Sequence, residues 1–275
     1  MDKALLTELQ SKAKEIRKLT IEEIGTLGSG HIGGAMSIVE ILTLLYFHRM
    51  KVDPANPRWE DRDQLVVSKG HAGPAVYAAL ALKGFFPKDW LSTLNQGGTK
   101  LPSHCDRNLT PGIDMTAGSL GQGFSAAIGI ALGLRMDKRP SRVYTIIGDG
   151  ESDEGQIWEG ALFAAAQGLA NLTAFTDYNK QQLDGYTRDI LDLGDLTAKW
   201  SAFGWYTQEV DGHDLEALDG AIEKTLTQRD KPSMIIMNTI KGRGCGFAEG
   251  IEKNHSMAFD LEKAREAIAA LDGRE

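Results

Sequence analysis

Cysteine is nearly absent. The 275-residue chain holds Cys105 and Cys245 alone, and neither belongs to a CxxC pair. That excludes a disulfide framework and makes a reducing compartment the default. Long apolar runs are missing too. No stretch approaches the ~18 apolar residues that a membrane span requires. Met1 to Thr20 is charged and helical in pattern (Leu5, Leu9, Ile16, Leu19), without the apolar core of a signal peptide. The expected location is therefore the cytoplasm. Basic charge is in short supply, with a formal net charge of −8. This argues against a nucleic-acid or anionic-membrane partner. It leaves room for an anionic cofactor, since backbone N–H groups and a bound cation can hold a phosphate. No GxGxxG follows the first strand, and Gly118–Gly123 has the wrong spacing for one, which sets aside a Rossmann dehydrogenase.

Glycine is plentiful, at 31 residues, in short runs that also carry His, Asp or Asn. Such turns let backbone approach a ligand closely. The length is near the upper limit for one domain, and no repeat, low-complexity tract or linker divides it. A single domain over 1–275 is expected.

The pattern along the chain predicts an opening helix to about Ile24 and a turn at Gly28–Gly34. An amphipathic helix follows at Ser37–His48, with Ile38, Ile41, Leu42 and Leu45 on one side. Gln64–Ser68 reads as a short strand, Pro74–Lys83 as a helix, and Asn95–Thr116 as a long surface loop of the kind that is often functional. A small-residue helix ends near Arg135. From Arg142 strands and helices alternate: strands at Val143–Ile147, Leu172–Tyr178, Trp205–Val210 and Ser233–Thr239, helices at Glu154–Gln167, Leu196–Phe203 and Leu215–Gln228, and a last helix at Asp260–Leu271. This predicts the α/β class, a mostly parallel sheet with helices on both faces.

The most specific feature is Gly148-Asp149-Gly150 followed about thirty residues later by Asn179, both at the carboxyl ends of adjacent predicted strands. Ligands bind at that edge of an open α/β sheet. Asp149 offers a carboxylate oxygen, Asn179 an amide oxygen and Gln181 a backbone carbonyl. Three hard oxygens suit Mg²⁺ or Ca²⁺, with the remaining positions left to phosphate oxygens and water. A helix starting near Glu154 adds N-terminal amides. By itself a GDG is a common strand-to-helix turn. The strand-end Asn at this spacing separates it from that bland reading.

At these residues the chain resembles the thiamine-diphosphate enzymes, whose signature is GDG followed by such an Asn. The closer resemblance is to transketolases. Gly30-His-Ile-Gly33 resembles their GHPG, Ser68-Lys-Gly-His-Ala72 their SxGHA and Gly118-Ser-Leu-Gly-Gln-Gly123 their GPLGQG. Asp211-Gly-His-Asp214 resembles a DGHD segment and Thr239-Ile-Lys-Gly-Arg-Gly244 a TxKGxG segment. The matches follow the family's order, and together they outweigh any single motif. One departure is Ile32, where the family has proline.

The resemblance implies a cofactor-contact set of His71, Ser119, Leu120, Gly121, Gly148, Asp149, Gly150, Glu151, Asn179 and His255. Leu120 and Gly121 face the aminopyrimidine, and the metal set is Asp149, Asn179 and Gln181. It places His31 and His104 toward the sugar, His71 and His255 toward the diphosphate, and Glu154 and Glu159 in an acidic network linking two active sites. The catalytic set is then His31, His104, His255, Glu154 and Glu159. Each histidine could instead be a satisfied structural one, but these four of the chain's six fall in or near Gly-rich loops. An imidazole there can donate to phosphate and sugar oxygens and shuttle protons. His48 and His213 read as structural, His213 fixing a turn. Glu154 and Glu159 also suit a helix N-terminus electrostatically.

A full-length transketolase continues with a pyrimidine-binding domain and a C-terminal domain, neither of which is here. The resemblance therefore implies the N-terminal subunit of a split transketolase, active with a C-terminal partner chain, on sugar phosphates, as a heterotetramer. The alternatives are a 1-deoxyxylulose-5-phosphate synthase-like or 2-oxoacid dehydrogenase subunit, and a non-catalytic phosphate-binding scaffold.

Overall fold

The computed structural model describes Met1–Gly273. In chain order the elements are α1 (Lys3–Leu27), β1 (Ser29–Gly30), α2 (Ile32–Met36), α3 (Val39–Leu44), β2 (Gln64–Val67), α4 (Gly73–Lys83), α5 (Gln122–Met136) and β3 (Val143–Gly148). They continue with α6 (Gly155–Ala166), β4 (Leu172–Tyr178), α7 (Thr187–Ile190), α8 (Leu196–Ala202), β5 (Tyr206–Asp211), α9 (Leu215–Thr225), β6 (Ser233–Asn238), β7 (Met257–Ala258) and α10 (Leu261–Asp272).

Five strands form a parallel sheet in the order β2-β3-β4-β6-β5. Because all run the same way, their carboxyl ends share one edge. Side chains alternate between two cores. Tyr144, Ile146, Phe175, Ile235 and Met237 pack with α1, α3, α4, α9 and α10, whereas Val143, Ile147, Leu172, Ala174, Met234 and Ile236 pack with α5, α6 and α8. Burial on both faces is why β3 and β4 read as near-continuous apolar runs. The edge strand β5 is partly exposed and more polar (Tyr206-Thr-Gln-Glu-Val-Asp211).

The expected α/β architecture is what the structure shows, with two local corrections. The Ser37–His48 segment is neither amphipathic nor one helix. Val39–Tyr46 is buried all round, wedged against α1, α4 and α9, and the helix gives way to a π-helical turn at Leu45–Arg49. A helix buried on every side has no polar face for periodicity to reveal. The Asn95–Thr116 loop runs partly inside, with Leu101, Cys105, Thr110 and Asp114 buried. A further pairing was not visible in the pattern: β1 and β7 form an antiparallel pair, Gly30 opposite Met257. It brings the segment before His31 against the segment after His255.

Candidate functional site

A cavity of about 270 Å³ opens at the carboxyl edge of the sheet. It is lined by His31, Gly34, Lys69, His71, His104, Gly118, Leu120, Gly148, Asp149, Gly150, Glu151, Asn179, Gln181–Asp184, Lys241 and His255. A larger groove of about 750 Å³, around Arg58, Arg62 and Arg107, lies away from these strand ends, and there Arg62 is tied to Asp114. Only the smaller cavity gathers the acid, the amide and the four imidazoles of the glycine-rich motifs.

Two aspartates decide its electrostatics, Asp149 in the lining and Asp177 buried beneath it. Asp177, in β4, is fully buried. It accepts hydrogen bonds from Lys69 Nζ (2.5 Å), Ser37 Oγ (2.7 Å), Thr239 Oγ1 (2.5 Å) and Asn179 Nδ2 (2.9 Å). Burial alone would raise its pKa, but the Lys69 ammonium and these donors hold it below the ordinary value. Asp149, just beyond β3, is 2% exposed and, among the described residues, accepts from two backbone amides only, Gly150 N (2.8 Å) and Lys180 N. Burial and the neighbouring Asp177 charge push it up to about 7. Asp149 is thus a buried carboxylate short of positive charge. Lys241 is the cation that acts on it, without touching it. The Lys241 ammonium donates to the carbonyls of Gln181 and Gln182 (3.2 Å each), and burial lowers it to about 8 against the pull of Asp149.

Among the described residues no three His, Cys, Asp or Glu side chains are grouped to hold a metal ion alone. The donors present are the Asp149 carboxylate and Asn179 Oδ1, the latter already accepting from Gln181 N at 3.1 Å. One carboxylate and one amide fit Mg²⁺, a cation that takes its remaining ligands from phosphate and water. The Gln181 carbonyl, expected as a third ligand, is engaged by Lys241.

Four imidazoles form the upper wall. Ring centroids lie 5.3 Å apart for His31–His255, 5.5 Å for His31–His71, 5.7 Å for His31–His104 and 4.7 Å for His71–His255. Burial lowers all four; His71 is depressed further by Lys69, and His255 falls to about 3 with Lys241 adding to the burial effect. At neutral pH each ring is neutral, carrying one donor and one acceptor.

The Gly118–Gly123 turn is held from below. Glu151 accepts from Ser68 Oγ (2.5 Å) and Gly121 N (2.8 Å) through Oε1 and from Gly148 N (3.0 Å) through Oε2. It lines the cavity, but its oxygens are occupied in fastening three segments. Gly121 sits at φ +81°, where a side chain would strain the turn. Ser119, Glu154 and Glu159 are exposed and lie outside the cavity. A 3₁₀ turn at Gly150–Asp153 follows Asp149, so α6 starts at Gly155 and not at the site itself. Glu159 shares the exposed face of α6 with Leu162 and Phe163.

Sequence reasoning missed Lys69, Asp177 and Lys241. The two lysines stand inside the SKGHA and TIKGRG segments, and Asp177 is an acid in an otherwise apolar strand, which was the available signal.

Residues 9–271 match the family model described as transketolase, thiamine diphosphate binding domain. The chain belongs to this family. It is 58% identical over 265 residues to the 6-deoxy-6-sulfo-D-fructose transketolase subunit SqwG of Clostridium sp. (strain MSTE9), covering 96% of each chain. It is 40% identical over 249 residues to an apulose-4-phosphate transketolase subunit of Actinobacillus succinogenes, covering 90% of each. Transketolase from Campylobacter jejuni superposes with a TM-score of 0.91 at 28% identity over 99% of this chain. That alignment takes in 43% of the Campylobacter chain, so the present chain spans under half the length of the solved transketolases it matches. As a family member it carries the thiamine diphosphate-binding domain of a transferase. Among the described residues no helix is long and apolar enough to cross a membrane.

Proposed function

We propose that this chain is the cofactor-holding subunit of a two-chain, cytoplasmic transketolase that moves a two-carbon glycolaldehyde unit from a ketose to an aldose. The observation that carries the reading is the pair of Asp149 and Asn179 lining one cavity at the carboxyl edge of the sheet, with Asp149 a buried carboxylate pushed up to about 7 by burial and the Asp177 charge. A magnesium ion shared with a diphosphate supplies what is missing.

When bound, thiamine diphosphate supplies the carbanion chemistry that breaks and remakes the C–C bond next to a carbonyl. This chain's residues do the rest from their side. Asp149 and Asn179 hold Mg²⁺. Lys241, His71 and His255 would hold the diphosphate, while Lys69 stays paired with Asp177. Gly148 and Gly150 keep side chains out of its way, and Leu120 and Gly121 would touch the aminopyrimidine, with Ser119 beside them in the same turn. Glu151 braces this turn. His31 and His104, neutral and half-buried, hydrogen-bond sugar oxygens and pass protons. Glu154 and Glu159 face a second protomer from the open side of α6.

The likeness in length to relatives named as subunits supports a separate partner chain with the pyrimidine-binding domain, in a heterotetramer. The relative at 58% identity supports a ketose donor with an anionic end group, 6-deoxy-6-sulfo-D-fructose first. Native mass spectrometry of the tagged chain from its host, with Mg²⁺ and thiamine diphosphate, tests the assembly. We expect a second chain and bound cofactor, and turnover with the sulfosugar or xylulose 5-phosphate. Turnover of pyruvate in their place overturns the transketolase reading, and full activity of the lone chain overturns the partner.

A further inference from the structure

One largely buried cluster lies beside the site, outside its cavity and outside the sheet core, with His213 reaching a shallow surface pocket. Arg17 of α1, Glu40 of α3 and His213 of the turn after β5 have side chains only 9%, 10% and 10% exposed. Arg17 Nη2 meets Glu40 Oε1 at 2.5 Å, and Glu40 Oε2 meets His213 Nδ1 at 3.1 Å. At the far side of the ring, Nε2 accepts from the backbone amide of Ile240 at 2.8 Å. That last contact fixes the tautomer: Nε2 must be the bare nitrogen, so the proton sits on Nδ1 and is donated to Glu40. Burial would raise Glu40, but the charge of Arg17 and the bond from His213 bring it below its ordinary value. It is thus an anion whose two oxygens are each claimed. Arg17 has a second contact, Nε to the carbonyl of Arg243 at 3.1 Å. A Cβ on Gly244, at φ +85°, would come within 2.8 Å of Arg17 Cδ, so the close approach needs glycine there.

Both ends of the cluster grip the same object, the Thr239–Gly244 turn that leaves β6. Ile240 is held by His213 and Arg243 by Arg17. Just before Ile240 the turn sends Thr239 Oγ1 to Asp177, and between the two held residues it sends the Lys241 ammonium to the cavity. It also seats the α2 segment, because Gly242 N donates to Gly33 O at 3.0 Å, two residues from His31.

We propose that Arg17, Glu40 and His213 form a positioning relay that locks this turn and so aims Lys241 at the bound diphosphate. The three residues touch no ligand themselves. The inference rests on the diphosphate-site reading given under the proposed function. It predicts that damage to the relay weakens cofactor affinity and spares turnover at saturating cofactor. Ring nitrogens can be replaced one at a time. In His213→Gln the amide reaches the position of Nε2 and can accept from Ile240, whereas in His213→Asn it reaches only the position of Nδ1 and leaves Ile240 unbonded.

The test uses the assembled enzyme with Mg²⁺, measuring the dissociation constant of thiamine diphosphate, kcat at saturating cofactor and the thermal midpoint. For His213→Asn we expect the cofactor dissociation constant to rise about tenfold or more, the scale on which outer-shell partners act, with kcat little changed and His213→Gln recovering most of the affinity. Lys241→Met should weaken binding by itself, and adding it to His213→Asn should cost less than the product of the two single effects, since both act through one ammonium. Equal affinity in His213→Asn and the parent, equal loss in the Asn and Gln variants, or full additivity with Lys241→Met overturns the relay while leaving the diphosphate reading intact. If Lys241→Met and Asp149→Asn both leave cofactor affinity unchanged, the diphosphate reading itself falls. Should His213→Asn not fold, Glu40→Gln carries the same comparison, because it keeps an oxygen for Arg17 and weakens the hold on Nδ1–H.

Discussion

Asp177 and Asp149 sit at the ends of neighbouring strands, paired in register through Gly148, and both are almost completely buried. They have opposite fates. Asp177 has an ammonium, two hydroxyls and an amide, and is held below its usual pKa. Asp149 has two backbone amides and is pushed up to about 7. A buried charge whose partners are all supplied by the chain is part of the fold. One whose partners are incomplete, and which lines a cavity at the carboxyl edge of a parallel sheet, is a candidate binding group.

The contrast can be broken most forcefully at Asp177. Replacement by Asn leaves Lys69 as a buried, unpaired charge, and a cost of about 3–5 kcal/mol is expected, read as a fall in the urea midpoint without ligand. Asp149→Asn should do the reverse: an unliganded midpoint at or above the parent's, and Mg²⁺-dependent thiamine diphosphate affinity down by more than about 100-fold, beyond what outer-shell losses cost. Calorimetric titration measures it, and parental affinity in that variant would remove Asp149 from the metal site.

Glu23 sharpens the comparison from outside the site. It is 2% exposed in α1, neither carboxylate oxygen has a hydrogen-bond partner among the described residues, and burial raises it well above the ordinary value. A raised acid contributes stability that is present below its unfolded pKa and lost as pH rises toward the folded one. Glu23→Met should therefore stabilise by about 1–3 kcal/mol, with a larger gain at pH 8 than at pH 5. A gain independent of pH would mean that packing, and not charge, is responsible. The smallest effect is expected at His255. Its folded pKa of about 3 lies below the ordinary 6.5, so stability is full above 6.5 and declines as pH falls toward 3. His255→Asn should flatten that acid limb of the thermal midpoint and leave the neutral value within about 0.5 kcal/mol, the range of mild substitutions.

Much of the site was legible because it is built from turns at strand ends. Gly148-Asp149-Gly150, Asn179 and the Gly-rich segments around His31, His71 and Leu120 all line the cavity, since a parallel sheet sends every carboxyl end to one edge. The elements from Val143 to Asn238 fall within a few residues of expectation, because apolar strands alternating with amphipathic helices leave a strong period; the exception is the one-turn α7, in a segment that reads as a polar loop. The Ser37–His48 helix was misread because a segment buried on all sides has no polar face. What the sequence could not show at Gln181 is that its carbonyl also meets a lysine sixty residues away, one lone pair going to Lys241 and the other left for a cation. Glu151 could be placed near the cofactor, but its work of tying Ser68 to Gly121 and Gly148 depends on three distant segments meeting.

The sequence by itself determined the α/β class, the edge at which the site lies, and the acid, amide and imidazoles that reach it. Those are consequences of local period and of the residues placed just after each strand. Only the tertiary structure decided which charges are spent and which are free: that Lys69 satisfies Asp177 and leaves Asp149 short, that β1 and β7 bring His31 to His255, and that Arg17, Glu40 and His213 close around the turn bearing Lys241. The pKa of a buried group is set by neighbours within a few ångströms, and in this fold those neighbours come from segments far apart along the chain.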